Sequence, residues 1–401
     1  MKINLMEEAK QKNRVILTTF TKKITIDGHT TAYSVYQIDL DYLYYNNQND
    51  RIATWLNKYL SEGNKFPTDK EEYNKVIENF IVESNPQAIK ETKSNIDLVD
   101  QREPGVVLND GRIIDGNRRF TCLRQLHKEQ PLKHQFFEAI ILDKDINTDT
   151  KQIKLLELMI QHGEETKIDY NPIDKLVGLY NDVIKNKILT EDEYKYSTNM
   201  RTLDFNNKKA EAQLMIDFLD YIEKPGKFYI VRDLNLDGPL LELVAILKKT
   251  PEDKIEDLKK AVFNMFLVSK GDLTRTTRRI KKIINYPVYL DQFINDHLKI
   301  SEKIIDSVFE ISNEKDLIGN LSNNSDLKND VNNALAKAEE GVGLENLKDG
   351  PLVQTQKALN TLNLLNVDLI SKMESSKIDD LIDLLNDLEN RIKFIRGKIN
   401  V

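Results

Sequence analysis

The chain has 401 residues, of which 40% are hydrophobic and 31% are charged. This length predicts more than one domain, and the composition argues against a chain that is disordered throughout. With 58 Lys and Arg residues against 65 Asp and Glu residues, the net charge is −7. That balance excludes a protein that coats nucleic acid by bulk charge, so any DNA contact must be local.

Cysteine and histidine usage narrows the chemistry further. The single cysteine, Cys122, excludes an internal disulfide, and the five histidines form no paired zinc-ligand pattern with it. No apolar run is long enough to span a bilayer, and the amino-terminal sequence MKINLMEEAKQKNR is too polar for a secretory signal. We therefore expect a cytoplasmic protein with no membrane partner.

The first 148 residues carry both strand and helix patterns. Residues 14–45 are rich in Val, Ile, Thr and Tyr, which predicts a β-hairpin. Apolar residues at helical spacing predict two helices within residues 52–84. Residues 105–129 predict a strand, a turn, a second strand, a loop and a helix, and the apolar run at 136–142 predicts a further strand. Residues 1–148 are therefore predicted to form a small mixed domain.

Helical patterns dominate from residue 149 onward, so the predicted fold class is α+β with a mostly α-helical middle and carboxyl-terminal region. Thr190 and Glu193 stand at capping-box spacing, which predicts the start of a short helix. A second helix is predicted to begin near Asn207. The predicted divisions are a helix-turn-helix-like region at 149–230, a helical region with a basic segment at 231–311, a linker at 312–333, and terminal helices with coiled-coil spacing at 334–401.

The most specific element is the turn Asp115-Gly116-Asn117-Arg118-Arg119, between a predicted strand and a predicted helix. Gly116 permits a tight turn, the free N–H groups at a helix start attract anions, and two arginines add positive charge. The turn is therefore predicted to bind phosphate. An equal alternative on chemistry alone is that Asp115 merely caps the helix and that the arginines lie on a solvated face.

This turn and its flanking elements resemble the signature of the ParB/sulfiredoxin-like superfamily, in which a Gly-x-x-Arg turn contacts nucleotide phosphates. Residues 38–51, which end in Arg51, resemble the opening element of that superfamily. Residues 155–184 resemble the stretch that holds a Glu-Asn-x-Gln-Arg helix and a Leu-Asn-Pro phrase. Residues 190–222 stand where ParB proteins carry a helix-turn-helix DNA reader. The resemblance implies a ParB N-terminal-like domain followed by a helix-turn-helix-like region.

The sequence departs from this pattern at two places. The Glu-Asn-x-Gln-Arg motif is replaced by residues 159–163, with Glu164 and Glu165 after them. CTP specificity and hydrolysis are therefore not carried over. Sulfiredoxins place their reactive cysteine inside the turn, whereas Asn117 stands there in this chain and Cys122 follows five residues later. Sulfinic acid repair is not expected, and Cys122 is predicted to be a small packed residue.

The resemblance implies a nucleoside triphosphate, ATP or CTP, and Mg²⁺ as ligands. The implied catalytic residues are Asp115, Arg118 and Glu164; the implied nucleotide-binding residues are Arg51, Asp115, Gly116, Asn117, Arg118, Arg119, Gln161 and His162; the implied metal ligands are Glu164 and Glu165. An ordinary exposed helix terminus is the alternative for the two glutamates, and a structural role is the alternative for His162.

Two helical segments offer candidate DNA contacts. The candidates are Lys208 and Lys209 at the start of the second helix of the pair, and Arg275, Arg278, Arg279 and Lys282 on one side of a later helix. For the later helix, a solvated face that acidic neighbours neutralise is an equal alternative.

Together these patterns predict a homodimeric, ParB-like protein that binds a nucleotide and DNA. Its setting would be plasmid or chromosome maintenance, or defence against foreign DNA such as phage DNA, with a partner protein encoded alongside. Two other interpretations stay open: an enzyme of the same superfamily that hydrolyses nucleotides or cuts DNA with a metal, and a non-catalytic scaffold with a degenerate nucleotide site.

Overall fold

The computed structural model describes residues 3–26, 29–163, 171–269, 271–310 and 323–399. The strands are β1 (Val15–Ile26), β2 (His29–Asp39), β3 (Tyr44–Tyr45), β4 (Gly105–Leu108), β5 (Arg112–Asp115) and β6 (Phe136–Leu142). The α-helices are α1 (Leu5–Gln11), α2 (Ala53–Ser61), α3 (Lys70–Ser84), α4 (Pro86–Val99), α5 (Asn117–Glu129), α6 (Thr150–Gly163), α7 (Pro172–Leu179), α8 (Glu191–Thr198), α9 (Thr202–Tyr221), α10 (Phe228–Asp233), α11 (Asp237–Leu247), α12 (Ile255–Val268), α13 (Leu273–Arg279), α14 (Pro287–Glu310), α15 (Ser325–Asn363) and α16 (Ser375–Ile399). Short 3₁₀ helices lie at Leu40–Tyr42, Asp50–Ile52, Glu252–Lys254, Ile280–Lys282 and Val367–Lys372, and a π-helical turn lies at Tyr180–Lys185.

The six strands form one mixed sheet in the order β1-β2-β6-β4-β5-β3. The β1–β2, β2–β6 and β4–β5 pairs are antiparallel, whereas β4–β6 and β3–β5 are parallel. Successive side chains of β4 point to opposite faces of the sheet, and helices cover both faces. Val107 joins a core cluster with Phe120 of α5, and Val106 joins a second cluster with Ile153 of α6.

The predicted α+β class is confirmed. The predicted hairpin corresponds to β1 and β2, and residues 105–129 form β4, β5 and α5 as expected. Helix α4 was not predicted, although its start carries a clear signal. The Asn85 side chain accepts a hydrogen bond from the backbone N–H of Ala88, and Pro86 occupies the first helical turn.

The helical elements that follow the sheet pack around α9. This helix buries Phe205, Met215 and Phe218, and it contacts α7, α10 and α11. The mixed domain and these helices belong to one compact unit, Met1–Ala338, and a second unit comprises Glu339–Val401. Among the described residues, no helix is both long enough and apolar enough to cross a membrane.

The predicted linker at 312–333 differs from the structure in its second half. Residues 311–322 lie outside the described residues, but α15 begins at Ser325 rather than beyond residue 333. Leu327, Val331 and Leu335 recur at helical spacing and are buried. Because this apolar stripe gains free energy by packing, the Asn- and Asp-rich residues around it adopt a helix.

Candidate functional site

Strand pairing brings two loops to the same edge of the sheet. Tyr44 and Tyr45 of β3 pair in parallel with Arg112 and Ile113 of β5. Parallel strands end at the same side of a sheet, so the loop that follows β3 and the turn that follows β5 leave it next to each other. The candidate site is built around these two segments, residues 46–52 and residues 115–119.

The turn at residues 115–119 presents an uncapped helix start. Gly116 has φ +97°, and a Cβ at this position would lie 2.8 Å from Cζ of Phe137. Both the backbone conformation and the space therefore require glycine. The first helical backbone bond runs from the N–H of Phe120 to the carbonyl of Gly116. Within the part of the chain that the structure describes, no side chain caps α5, so its first N–H groups stay available to an anion.

Asp115 and Arg119 brace this turn. Nη2 of Arg119 donates a 2.8 Å hydrogen bond to Oδ2 of Asp115, and Nη1 donates a 2.6 Å bond to the carbonyl of Glu103. Nζ of Lys22 lies 3.8 Å from the same Asp115 oxygen. Asp115 is thus held by two cations and does not cap α5, which contradicts the capping alternative. These contacts fit a positioning role for Asp115, and the catalytic role that the resemblance implies for it stays a prediction.

Asn117 and Arg118 occupy the first turn of α5. Asn117 is only 7% exposed, and its Oδ1 accepts no hydrogen bond from any described residue. Buried side-chain polar atoms without a partner are uncommon in folded proteins, so this amide is a candidate for contact with a ligand. Arg118 is half-buried, one helical turn before Cys122.

Cys122 is a packed residue, as predicted. It is fully buried, and its Sγ lies 3.5 Å from the carbonyl of Ile89 in a hydrogen bond. Burial raises the pKa of the Cys122 thiol to about 12. The thiolate form that sulfur chemistry requires is therefore strongly disfavoured.

The loop after β3 is folded by its own asparagines. Oδ1 of Asn46 accepts a hydrogen bond from the backbone N–H of Gln48, and Oδ1 of Asn49 accepts one from the N–H of Arg51. Asn46 and Asn49 are almost fully buried. These bonds fix the backbone that carries Asp50 and Arg51, in a manner typical of Asx turns. Arg51 is half-buried within this loop.

A buried charge cluster joins this loop to α6, and the sequence did not predict it. Nζ of Lys154 lies 2.7 Å from Oδ2 of Asp50, 3.3 Å from Oδ2 of Asp182 and 3.9 Å from Oε2 of Glu157. Each of the four side chains is at most 18% exposed. Gln161, a predicted ligand residue, donates to Oε1 of Glu157 at 3.1 Å and so belongs to the edge of this cluster.

Burial sets the protonation of the cluster. It raises the pKa values of Glu157 and Asp182 above their ordinary range, and the nearby Lys154 ammonium offsets only part of that rise. Burial alone would lower the pKa of Lys154, but the carboxylates of Asp50, Glu157 and Asp182 outweigh it and raise that pKa. Lys154 therefore stays charged, while Glu157 and Asp182 hold their protons more tightly than usual.

A polar cavity of about 370 Å³ opens beside this cluster. It is lined by Asn46, Gln48, Asp50, Thr150, Ile153, Lys154, Glu157, Asn181, Asp182, Asn186 and Ile188. Its volume lies within the ~300–1,000 Å³ typical of small-molecule sites. Seven of the eleven lining residues carry an amide or carboxylate side chain, so the cavity offers a ligand several hydrogen-bonding groups.

The predicted metal ligands are not tested by this geometry. Glu164 and Glu165 lie outside the described residues, and so does the side chain of His162. Among the described residues, no group of three or more His, Cys, Asp or Glu side chains is arranged to hold a metal ion. In the buried cluster the positive charge between the carboxylates is the Lys154 ammonium.

The two helices predicted within residues 190–222 correspond to α8 and α9, and their helix-turn-helix character stays a prediction. The predicted Thr190–Glu193 capping box begins α8. Asn199 ends α8 with φ +51°, a left-handed backbone conformation that is usually adopted by glycine at this position. The second helix begins at Thr202, five residues before the predicted start, because Phe205 is buried and extends its apolar face. The pair joins at a short turn of three residues.

Several candidate DNA contacts are engaged with acidic neighbours. Lys208 pairs with Glu211 at 2.7 Å, and Lys209 pairs with Glu191 at 2.6 Å. In the basic segment, Glu242 accepts from Arg278 at 2.6 Å and from Lys281 at 2.5 Å. Arg275, Arg279 and Lys282 lie in the same segment, on α13 and the 3₁₀ helix after it. These ion pairs reduce the local positive charge that DNA would meet, and DNA binding there stays a prediction.

Comparisons with known proteins give a distant structural similarity. No protein-family model matches the chain, and no curated protein matches it. A search of solved structures found a similarity to the C2221 form of a Pnob8-like ParB-N domain. The sequence identity is 13%, the match covers 68% of this chain and 98% of that chain, and the TM-score is 0.31. At this TM-score the similarity is too remote to transfer any functional residue.

Proposed function

We propose that the protein binds a nucleoside triphosphate whose phosphates contact the start of α5. The uncapped start of α5 behind Gly116 carries this proposal. The buried Oδ1 of Asn117, which accepts no hydrogen bond from a described residue, can accept one from a hydroxyl or amino group of the nucleoside rather than from phosphate. A helix start presents N–H donors and the positive end of the helix dipole. Arg118, in the first turn, adds a charge that can pair with phosphate in a bidentate manner.

The surrounding residues have separate roles in this proposal. Asp115 and Arg119 hold the turn in shape through their 2.8 Å ion pair. Arg51 approaches from the neighbouring loop. The cavity beside Asp50 and Lys154 takes the nucleoside, whose base and sugar offer the hydrogen-bonding groups that such a polar lining needs. Mg²⁺ would accompany the triphosphate, which carries oxygen ligands of its own.

We further propose that nucleotide binding controls association with DNA, in plasmid or chromosome maintenance or in defence against foreign DNA. The support is the order of motifs along the sequence, which resembles that of ParB proteins. The α8–α9 pair adds a structural element of a type that reads DNA in other proteins. Ligand binding at the sheet edge would then shift the protein between two states that differ in DNA affinity.

The test is calorimetric titration of ATP, CTP and GTP, each with Mg²⁺, into the wild-type protein and into Arg118→Ala. Loss of one charge-assisted hydrogen bond costs ~1.5–3 kcal/mol, so we expect at least roughly tenfold weaker binding by the variant. The matched control is Arg201→Ala, because Arg201 is 84% exposed and pairs only with Asp204 among its described contacts. Absence of binding to the wild-type protein, or equal binding by Arg118→Ala, would reject the site.

A fluorescence anisotropy titration of a labelled duplex addresses the DNA part. Wild-type protein with the tightest-binding nucleotide is expected to bind DNA with a different affinity than without it. The same DNA affinity in both conditions, despite demonstrated nucleotide binding, would reject the coupling and leave the nucleotide site intact.

A further inference from the structure

The last helix, α16, carries an uninterrupted apolar seam. Its members stand alternately three and four residues apart: Ile378, Leu381, Leu385, Leu388, Ile392, Ile395 and Ile399. This is the spacing of the a and d positions of a heptad repeat, with Ile378, Leu385, Ile392 and Ile399 at a. The repeat averages 3.5 residues, which keeps one seam facing a partner along the whole helix.

The seam has no partner in the described structure. None of the residues Ser375–Ile399, all of which are described, is buried. Leu385, Leu388, Ile392 and Ile395 are each between 39% and 47% exposed. A helix in water gains little stability from its backbone alone and relies on packing of its apolar face. The seam therefore requires a second surface.

The charges of α16 identify that surface. Residues 375–387 contain one lysine and four aspartates, a net charge of −3. Residues 388–399 contain one glutamate and four basic residues, a net charge of +3. A parallel pair of identical helices would set like charges side by side, whereas an antiparallel pair sets each acidic half beside a basic half. The helix is thus complementary to a second copy of itself, which is the condition for a two-fold symmetric contact.

We propose that α16 pairs with α16 of a second copy of this chain as an antiparallel coiled coil. In an antiparallel coiled coil an a residue of one helix meets a d residue of the other. This places Ile378 opposite Ile395 of the partner subunit, Leu381 opposite Ile392 of the partner subunit, and Leu385 opposite Leu388 of the partner subunit. The contact does not depend on the proposed nucleotide site.

The first test measures the mass of the full-length protein by light scattering after size exclusion. The wild type is expected to be dimeric, and Leu388→Glu is expected to be monomeric. Asn390→Glu is the matched control, because position 390 lies on the opposite side of the helix and the new charge is the same. Leu388 is exposed, so Leu388→Glu keeps the fold, and unchanged fluorescence of Trp55 checks this. A monomeric wild type, or a dimeric Leu388→Glu, overturns the proposal.

The second test establishes orientation by disulfide cross-linking under mild oxidation. Ile378→Cys and Ile395→Cys are made separately, one of them with a mass tag, and the native Cys122 is buried and does not interfere. Antiparallel pairing predicts cross-linked heterodimers when the two proteins are mixed, and little cross-linking of either alone. Cross-linking of each variant with itself shows parallel pairing and overturns the proposal.

Discussion

Lys154 offers the sharpest test of the electrostatics beside the candidate site. Methionine is of similar length and carries no charge, so Lys154→Met leaves Asp50, Glu157 and Asp182 around an apolar side chain. The distances of 2.7, 3.9 and 3.3 Å show how directly these carboxylates depend on the ammonium. Removing one partner of a buried ion pair costs ~3–5 kcal/mol, and we expect a loss of that size in the free energy of unfolding at about pH 8.

The loss of unfolding free energy caused by Lys154→Met should be larger at high pH than at low pH. Burial raises the pKa values of Glu157 and Asp182 in the folded protein. Raised carboxyl pKa values stabilise the fold fully below the ordinary pKa of the unfolded chain, and this contribution is lost as pH rises through the folded pKa. Without the Lys154 ammonium both values rise further. The variant therefore loses much less stability at about pH 5, where Glu157 and Asp182 are protonated.

The assay is urea unfolding followed by the fluorescence of Trp55, the single tryptophan of the chain. Trp55 lies on α2, with the guanidinium of Arg232 3.9 Å from its ring centre, so its emission reports on this part of the fold. The control is Lys93→Met, which removes a partly exposed pair with Glu129 and should cost less than ~1 kcal/mol at either pH. A Lys154→Met cost below that value at about pH 8, or an equal cost at both pH values, would show that the Lys154 ammonium does not stabilise the buried carboxyls.

Three further substitutions test local features. Gly116→Ala should lower stability by ~1–3 kcal/mol, because φ is +97° and the new Cβ would meet Phe137; an unchanged Tm contradicts this. Burial raises the pKa of Asp174 to about 7, so protonation of Asp174 contributes up to about 4 kcal/mol of stability at about pH 4 that is lost by about pH 8. Asp174→Asn can still accept the N–H of Thr54 and should remove this pH dependence. If the free energy of unfolding in urea changes with pH as it does in the wild type, this prediction is wrong. Thr190→Ala should cost ~0.5–2 kcal/mol in thermal unfolding through loss of the α8 capping box, and no loss would show that the cap is dispensable.

Local patterns predicted the parts of this fold that short segments determine. The β5–turn–α5 unit follows from an apolar run, a glycine that must adopt positive φ, and a helical stripe, all within about twenty residues. Its chemistry was harder to assign. The sequence singled out Asp115, but only the structure shows that Arg119 and Lys22 hold its carboxylate.

The buried cluster could not be predicted because its members are distant in the chain. Asp50, Lys154 and Asp182 lie in three segments, and each is an ordinary charged residue in its local context. A lysine and an acid three residues apart on an apolar helix, Lys154 and Glu157, were the available signal. That spacing is usually a surface pair, and only tertiary packing of α6 against the loop after β3 reveals a buried one.

The most direct test of the nucleotide proposal is hydrogen–deuterium exchange of the wild-type protein with and without the tightest-binding nucleoside triphosphate and Mg²⁺. Slower exchange is expected in peptides that cover residues 115–120 and 46–52, since bound phosphate would occupy the uncapped N–H groups at the start of α5. The corresponding nucleoside, which has no phosphates, should not protect residues 115–120. Protection confined to another part of the chain, or none at a saturating nucleotide concentration, would rule out phosphate binding at the start of α5.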